Sequence, residues 1–235
     1  MNAIILAAGL GSRLKEITVN THKSLLNIAG RVNLERTIEC LKELGIEEIN
    51  IVVGYKASDF EYLKEKFGVN LIYNDKFQVL NNLYSFCLTL EFFGDSFVID
   101  ADVVMLKNVL QITQTSVYYT TVREVNNKND WVVTCNKSGR ITKIVPSSKN
   151  LPTLFGISYF TKNDARLIKE YIKTLPQSAY HNKKLYYDNV FVSMLDKIVI
   201  KEVRVDNKFV CEIDDKDDLT EIDKKGEIYE RNLFL

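Results

Sequence analysis

Three groups of residues in this chain have the types and spacing to do chemistry. The segment Val98-Ile-Asp100-Ala-Asp102 puts two carboxylates at the end of an apolar stretch. The apolar run Ala3 to Ala8, which includes Leu6 and Ala7, ends in Gly9, Gly11, Ser12 and Arg13, with Lys23 ten residues further on. Aromatic rings stand beside or near acids at Asn129-Asp-Trp131, Tyr186-Tyr187-Asp188 and Glu212-Ile-Asp214 with its neighbours. Glycines let a main chain approach an anion closely, and an arginine can offer a phosphate two parallel donors. Two acids leaving a buried strand together are costly unless a cation neutralises them. Mg²⁺ suits a site beside a phosphate loop, because it takes oxygen ligands and shares them with substrate phosphates. Alone, the acid pair reads equally well as a cap on the next turn; the glycine loop tips the balance to metal.

The loop departs from the common phosphate-binding patterns. A P-loop requires Gly-x-x-x-x-Gly-Lys-Ser/Thr, and the dinucleotide fingerprint requires a third glycine where Leu14 stands. What remains is Ala7-Ala8-Gly9-Leu10-Gly11-Ser12-Arg13 followed by Lys23.

Such groups need a scaffold, and the pattern supplies one. Leu34, Ile38 and Leu41 recur at helical spacing before Gly45. Ile49 to Val53 reads as a buried strand, and Ser58 with Glu61 has the form of a capping box ahead of Phe60, Leu63 and Phe67. Val69 to Tyr73 predicts a strand, Leu80 to Phe93 a helix, and Phe97 to Met105 a strand. Strands alternating with helices predict an α/β fold with a mostly parallel sheet covered on both faces. Ligands in such sheets bind beyond the carboxyl ends of the strands, where the Gly9 loop and the acids Asp100 and Asp102 both fall. Strand alternation sends residues 100 and 102 to one face, and likewise 212 and 214.

Beyond residue 110 strands dominate. Tyr118 to Arg123, Trp131 to Cys135 and Arg140 to Val145 are strand-like, the last two joined by a turn at Asn136-Lys-Ser-Gly139. Thr161 and Asp164 cap a helix running to Leu175; Ile198 to Val205 and Lys208 to Ile213 predict late strands before a polar helix from about Asp217. Without repeat or linker, the chain reads as one domain, 1–235, with a nucleotide-binding half (1–110) and an acceptor-binding half (111–235).

Composition narrows the partners. With 31 basic and 31 acidic residues the formal charge is +0, so neither a nucleic-acid surface nor an anionic-membrane surface is indicated. No apolar run approaches the ~20 residues of a membrane span. The first apolar run lacks the basic flank of a signal peptide. Four scattered cysteines without a C-x-x-C pair and only two histidines argue against zinc and thiol redox chemistry. These features predict a cytoplasmic protein.

The motifs Ala7-Ala-Gly-Leu-Gly-Ser-Arg13, Thr21-His-Lys23, Tyr73-Asn-Asp75, Asn81-Asn82, Val98-Ile-Asp-Ala-Asp102, Tyr186-Tyr-Asp188-Asn and Cys211-Glu-Ile-Asp214 resemble, in order and approximate spacing, those of the bacterial CTP:phosphocholine cytidylyltransferases. The likeness covers nearly the whole chain and implies a Rossmann-like nucleotidyltransferase fold with a β-rich acceptor-binding elaboration. It implies CTP and phosphocholine as substrates and Mg²⁺ held by Asp102 and Asp214. Arg13 and Lys23 would contact the triphosphate, and Leu6, Ala7, Ala8, Gly9, Gly11, Ser12, Asn81, Asn82, Ser85 and Asp100 would line the nucleotide site. The catalytic set implied is Lys23, Arg13, Asp102 and Asp214.

The acceptor side has its own logic. A quaternary ammonium cannot donate hydrogen bonds and is recognised by aromatic faces and carboxylates. Trp131, Tyr187, Asp188 and Glu212 are the expected cage; singly, each ring reads as core. The chain departs from the family where Tyr187 stands in place of a tryptophan and His22 in place of a common proline, which leaves another aminoalcohol open as acceptor. A sugar-1-phosphate nucleotidyltransferase is the nearest rival, but it would want hydrogen-bonding groups for sugar hydroxyls. A non-catalytic nucleotide-binding module would be expected to lack Lys23 or an acid, and a structural protein gives no reason for loop and acids to converge.

Overall fold

The structure is a computed structural model and describes residues 1–11, 14, 17–123 and 130–233. In chain order its strands are β1 (Asn2–Ala7), β2 (Asn27–Ile28), β3 (Arg31–Val32), β4 (Ile49–Val53), β5 (Asn70–Tyr73), β6 (Ser96–Asp100) and β7 (Val103–Met105). There follow β8 (Ser116–Val122), β9 (Asp130–Cys135), β10 (Ile141–Ser147), β11 (Pro152–Phe160), β12 (Ile200–Arg204) and β13 (Val210–Glu212). The helices are α1 (Asn33–Glu43), α2 (Tyr62–Phe67), α3 (Asn82–Cys87), α4 (Lys162–Ile172), α5 (Tyr187–Val192) and α6 (Lys216–Leu233).

A nine-stranded sheet carries the path β10-β9-β11-β6-β1-β4-β5. One end of it, β6-β1-β4-β5, is parallel, as the alternation of strands and helices predicts. β11 then runs antiparallel to β6 and to β8, and β12 adds parallel to β8, so strands from both halves of the sequence share one sheet. β1 is buried on both faces. Ala3, Ile5 and Ala7 face α1 and α2 through Leu34, Ile38, Leu41 and Leu63. Ile4, one step out of phase, meets Phe86, Phe191 and Ile168 from α3, α5 and α4. A third cluster, Leu14, Ile28, Val104, Ile213 and Ile222, seats α6 against the β7–β13 pair.

Several elements differ from expectation. The helix over 80–93 is confined to Asn82–Cys87; the chain continues in turns, and the Thr89 hydroxyl bonds the Phe86 carbonyl at 2.7 Å. Ser58 and Glu61 form no capping box, because Ala57–Phe60 is a 3₁₀ turn entered from Lys56 at φ 52. The strand over 97–105 breaks at Ala101-Asp102 into β6 and β7. Two long-range elements had no clear local signal: β11, whose centre is Gly156 at φ +73, and the short α5. Thr161 caps α4 as expected, its hydroxyl accepting from the Asp164 N–H.

Candidate active site

The parallel strands deliver their carboxyl ends to one cavity of about 440 Å³. Register pairs Leu6 of β1 with Asp100 of β6, so the glycine loop leaves the sheet beside that carboxylate. Leu6, Ala7, Ala8 and Gly9 form one wall, with Asn82 and Ser85 of α3 next to them. Asp100, Asp102, Glu212 and Asp214 line the cavity too, as do Trp131, Tyr186 and Asp188. A hollow of similar size beside Arg140 and Asp196 has neither a glycine loop nor this gathering of carboxylates.

The break between β6 and β7 brings the acids together. Asp102 lies in the turn, and its carbonyl accepts from the Ile213 N–H at 3.0 Å. β13 pairs antiparallel with β7, setting Glu212 opposite Val103. Thus Glu212 and Asp214 arrive beside Asp102 through sheet pairing, although Asp214 lies past the strand end. Lys23 closes the group with an ion pair to Asp102. Burial alone would lower the Lys23 pKa, but the Asp102 carboxylate, helped by Asp214 and Asp100, outweighs it and holds the ammonium charged.

Burial, and for two of them neighbouring negative charge, raises three of the carboxyl groups. Burial first, then Asp102, Asp188 and Glu212, raises Asp100 well above the carboxylate range. Glu212 is pushed up to about 7 by burial, with Arg123 opposing and Asp102 adding. Burial raises Asp188 to about 6, opposed by the Tyr118 hydroxyl, which donates to it at 2.7 Å.

Most of the expected residues meet at the cavity, with three exceptions. Tyr187 does not present its ring: it is 1% exposed and packs on Phe86 and Phe191, while its hydroxyl donates to Asp100 Oδ2 at 3.0 Å. The tyrosine that lines the cavity is Tyr186, 47% exposed at the cap of α5, since adjacent residues at a helix start point to different sides. Asn81 does not line the cavity either. Its side chain caps α3 by accepting from the Tyr84 N–H and donates to the carbonyls of Ala179 and Asn182, which uses both amide hydrogens. Gly11 is one step back, at φ +59 against the Lys23 side chain rather than in the wall. Ser12, Arg13 and Asn129 lie outside the described residues.

The sequence reading missed four contributors. Arg123 donates through Nε to Asp130 at 2.5 Å and through a terminal nitrogen to Glu212, joining the ends of β8, β9 and β13. Tyr118 holds Asp188. Gly156 gives Asp100 its space: a Cβ there would sit 2.9 Å from the Asp100 Cβ. His22 reaches the Gly9 carbonyl at 2.9 Å. Each of these depends on contacts far apart in sequence, and only the glycine inside a strand pattern carried a local hint.

A parallel sheet whose first loop meets a lysine and paired acids defines a nucleotidyltransferase, and residues 3–161 match the MobA-like NTP transferase domain. The chain is 42% identical over 226 residues to a choline-phosphate cytidylyltransferase of Haemophilus influenzae, covering 96% of this chain and 97% of that protein. A choline-phosphate cytidylyltransferase of Streptococcus pneumoniae is 35% identical, with 95% and 97% covered. The solved CTP:phosphocholine cytidylyltransferase of Streptococcus pneumoniae (LicC) superposes with a TM-score of 0.89 at 36% identity, covering 95% of this chain and 97% of that one. The chain belongs to the MobA-like NTP transferases and, among them, to the family of bacterial choline-phosphate cytidylyltransferases.

Proposed function

We propose that the chain transfers the cytidylyl group of CTP to phosphocholine, releasing CDP-choline and pyrophosphate. One observation carries this reading: the glycine loop with Lys23 and the group Trp131, Tyr186, Asp188 and Glu212 line the same cavity. The first suits a nucleotide triphosphate and the second a positively charged acceptor. The family named above supports the same pair of substrates.

In the reaction a phosphate oxygen of phosphocholine attacks the α-phosphorus of CTP. The bond from that phosphorus to the bridging oxygen breaks, and the electron pair leaves with pyrophosphate. Such a transfer needs positioning and charge neutralisation rather than a covalent enzyme intermediate. Lys23 supplies a fixed positive charge at the mouth of the glycine loop, and Arg13 is assigned to the triphosphate with it. Asn82 and Ser85 are held ready: Asn82 accepts from the Tyr187 N–H at 3.1 Å, and Asn74 donates to the Ser85 hydroxyl at 2.9 Å. Arg123 keeps Glu212 and Asp130 in place beside Trp131. Trp131 and Tyr186 offer ring faces, and Asp188 a carboxyl group, to the trimethylammonium end.

The cavity fits a divalent cation on charge. Six carboxylic side chains line it, Asp100, Asp102, Asp130, Asp188, Glu212 and Asp214, against Lys23 and Arg123. Among the described residues no three potential ligands are arranged around one point. Mg²⁺ takes one or two protein carboxylates and fills its shell with phosphate oxygens and water. Asp102 and Asp214 would hold it, and it would supply Lewis-acid stabilisation of charge on the reacting phosphates.

Pyrophosphate release from the four common nucleoside triphosphates, each against phosphocholine, phosphoethanolamine and a hexose 1-phosphate, tests the reading. CTP with phosphocholine is expected to give the highest kcat/KM. Faster turnover of a sugar phosphate would overturn it.

A further inference from the structure

We propose that His22 is a positioning residue of the nucleotide site, its neutral ring fixing the Gly9 peptide and the Lys23 turn in the single arrangement that CTP binding uses. The ring is buried at 1% exposure and spans two segments thirteen residues apart. Nε2 lies 2.9 Å from the Gly9 carbonyl. A carbonyl only accepts, so Nε2 carries the proton and Nδ1 keeps its lone pair. Nδ1 in turn accepts from the Ser24 N–H at 3.2 Å and stands 2.8 Å from the Ser24 hydroxyl, itself wholly buried.

This geometry admits one tautomer. An imidazolium would place a second donor against the Ser24 N–H. Burial first, and then the Lys23 charge, lower the His22 pKa against the Gly9 carbonyl, Asp102 and Asp59, which keeps the ring neutral. Phe60 packs on its edge with centroids 5.0 Å apart, and Tyr55 lies beyond at 6.3 Å. Both rings pack against the imidazole and restrict its rotation.

The consequence for substrate follows from the planar peptide. Fixing the Gly9 carbonyl also fixes the Leu10 N–H, which a trans peptide points the opposite way. The preceding carbonyl, of Ala8, is held in the same manner by the Tyr55 N–H at 3.4 Å. His22 is also the cap of the 3₁₀ turn Lys23–Leu25, so the ring orders the backbone of the lysine that pairs with Asp102. One side chain thus sets both the amide donors of the loop and the start of the lysine turn. Preorganised donors bind an anion without the cost of ordering them.

The inference rests on CTP entering at the Gly9 loop, and the test separates the two. Long-range ¹H–¹⁵N spectra of the ligand-free protein read the tautomer without any substrate; a proton on Nε2 alone is expected. His22→Leu keeps an apolar filler beside Phe60 but loses the bonds to Gly9 and Ser24, and His22→Gln keeps an amide able to donate to Gly9. In His22→Leu the KM and calorimetric Kd for CTP should rise about tenfold or more, while the KM for phosphocholine moves less than twofold. His22→Gln should recover part of the CTP affinity. A proton on Nδ1, or CTP affinity within twofold of wild type in folded His22→Leu, would overturn the assignment. So would losses in every kinetic parameter that track the melting temperature and are not rescued by Gln. Failure of the wild-type chain to use CTP would instead reject the proposed function, whatever the tautomer.

Discussion

Tyr187 and Asp100 are joined by a 3.0 Å hydrogen bond, with the tyrosine ring in the core and Asp100 lining the cavity. The phenol is the part of Tyr187 that serves the site, and the ring serves the fold. Tyr187→Phe should keep the packing on Phe86 and Phe191 and leave Asp100 short of a donor, costing about 1–3 kcal/mol of stability. The KM for phosphocholine should stay within twofold. Tyr186→Ala should do the reverse, raising that KM several-fold with little change in melting temperature. Paired melting curves and acceptor titrations check both; an acceptor defect in Tyr187→Phe equal to that of Tyr186→Ala would place Tyr187 back in the acceptor wall.

Gly156 lets β11 pass Asp100. At φ +73 a side chain is strained, and a Cβ would lie 2.9 Å from Asp100 Cβ and 3.0 Å from Val103 Cγ2. Left-handed strain of ~1–2 kcal/mol and overpacking of ~1–3 kcal/mol add, so Gly156→Ala should lose about 2–5 kcal/mol. Gly139 is the control: its φ is +76, but nothing lies within 4 Å of an added Cβ. Gly139→Ala should lose only the backbone part. Equal denaturant-midpoint shifts in the two variants would show that the close approach to Asp100 carries no cost.

The parts of this site that were legible in the sequence are those encoded locally. The apolar run into Gly9 and the Asp100/Asp102 pair each lie within a few residues, and both reach the cavity. The acids of 212–214 were legible as a pair, although sheet pairing of β13 with β7, not alternation, brings them to Asp102. What was not legible depends on distant backbone. Whether Tyr186 or Tyr187 turns inward is settled by where α5 begins and by Phe86, about a hundred residues upstream. The bonds of Arg123 to Glu212 and of His22 to Gly9 likewise join residues whose types alone specify no partner. The resemblance places Asn81 at the nucleotide with Asn82, but its amide group donates to the carbonyls of Ala179 and Asn182, a segment about a hundred residues away.

Asp102 and Asp214 are proposed to hold Mg²⁺, and their amide variants retain shape while removing charge. Asp102→Asn also removes the partner of Lys23, so it should suffer more at saturating metal. Each variant should lose on the order of a hundredfold or more in kcat, with melting temperature little changed. For Asp214→Asn, part of the loss should be recovered by raising Mg²⁺. Near-normal activity of Asp214→Asn at limiting Mg²⁺ would remove that residue from the metal site.

Trp131 tests the nature of the acceptor most directly. It is half-buried at the start of β9, with its neighbour Asp130 held by Arg123, and it lines the same cavity as the glycine loop. A quaternary ammonium over an aromatic face gains ~0.5–2 kcal/mol per ring, so Trp131→Ala should weaken phosphocholine use by roughly tenfold. Trp131→Phe should keep part of the effect, because a smaller face survives. The expected selectivity is phosphocholine over phosphoethanolamine in the wild type, narrowing in Trp131→Ala as the cation–π contribution is lost. CTP binding measured without acceptor should be unchanged in both variants. An unaltered phosphocholine KM in Trp131→Ala would return the tryptophan to a packing role and leave Asp188 and Glu212 to recognise the cation by charge alone, in which case phosphoethanolamine should be used as well as phosphocholine.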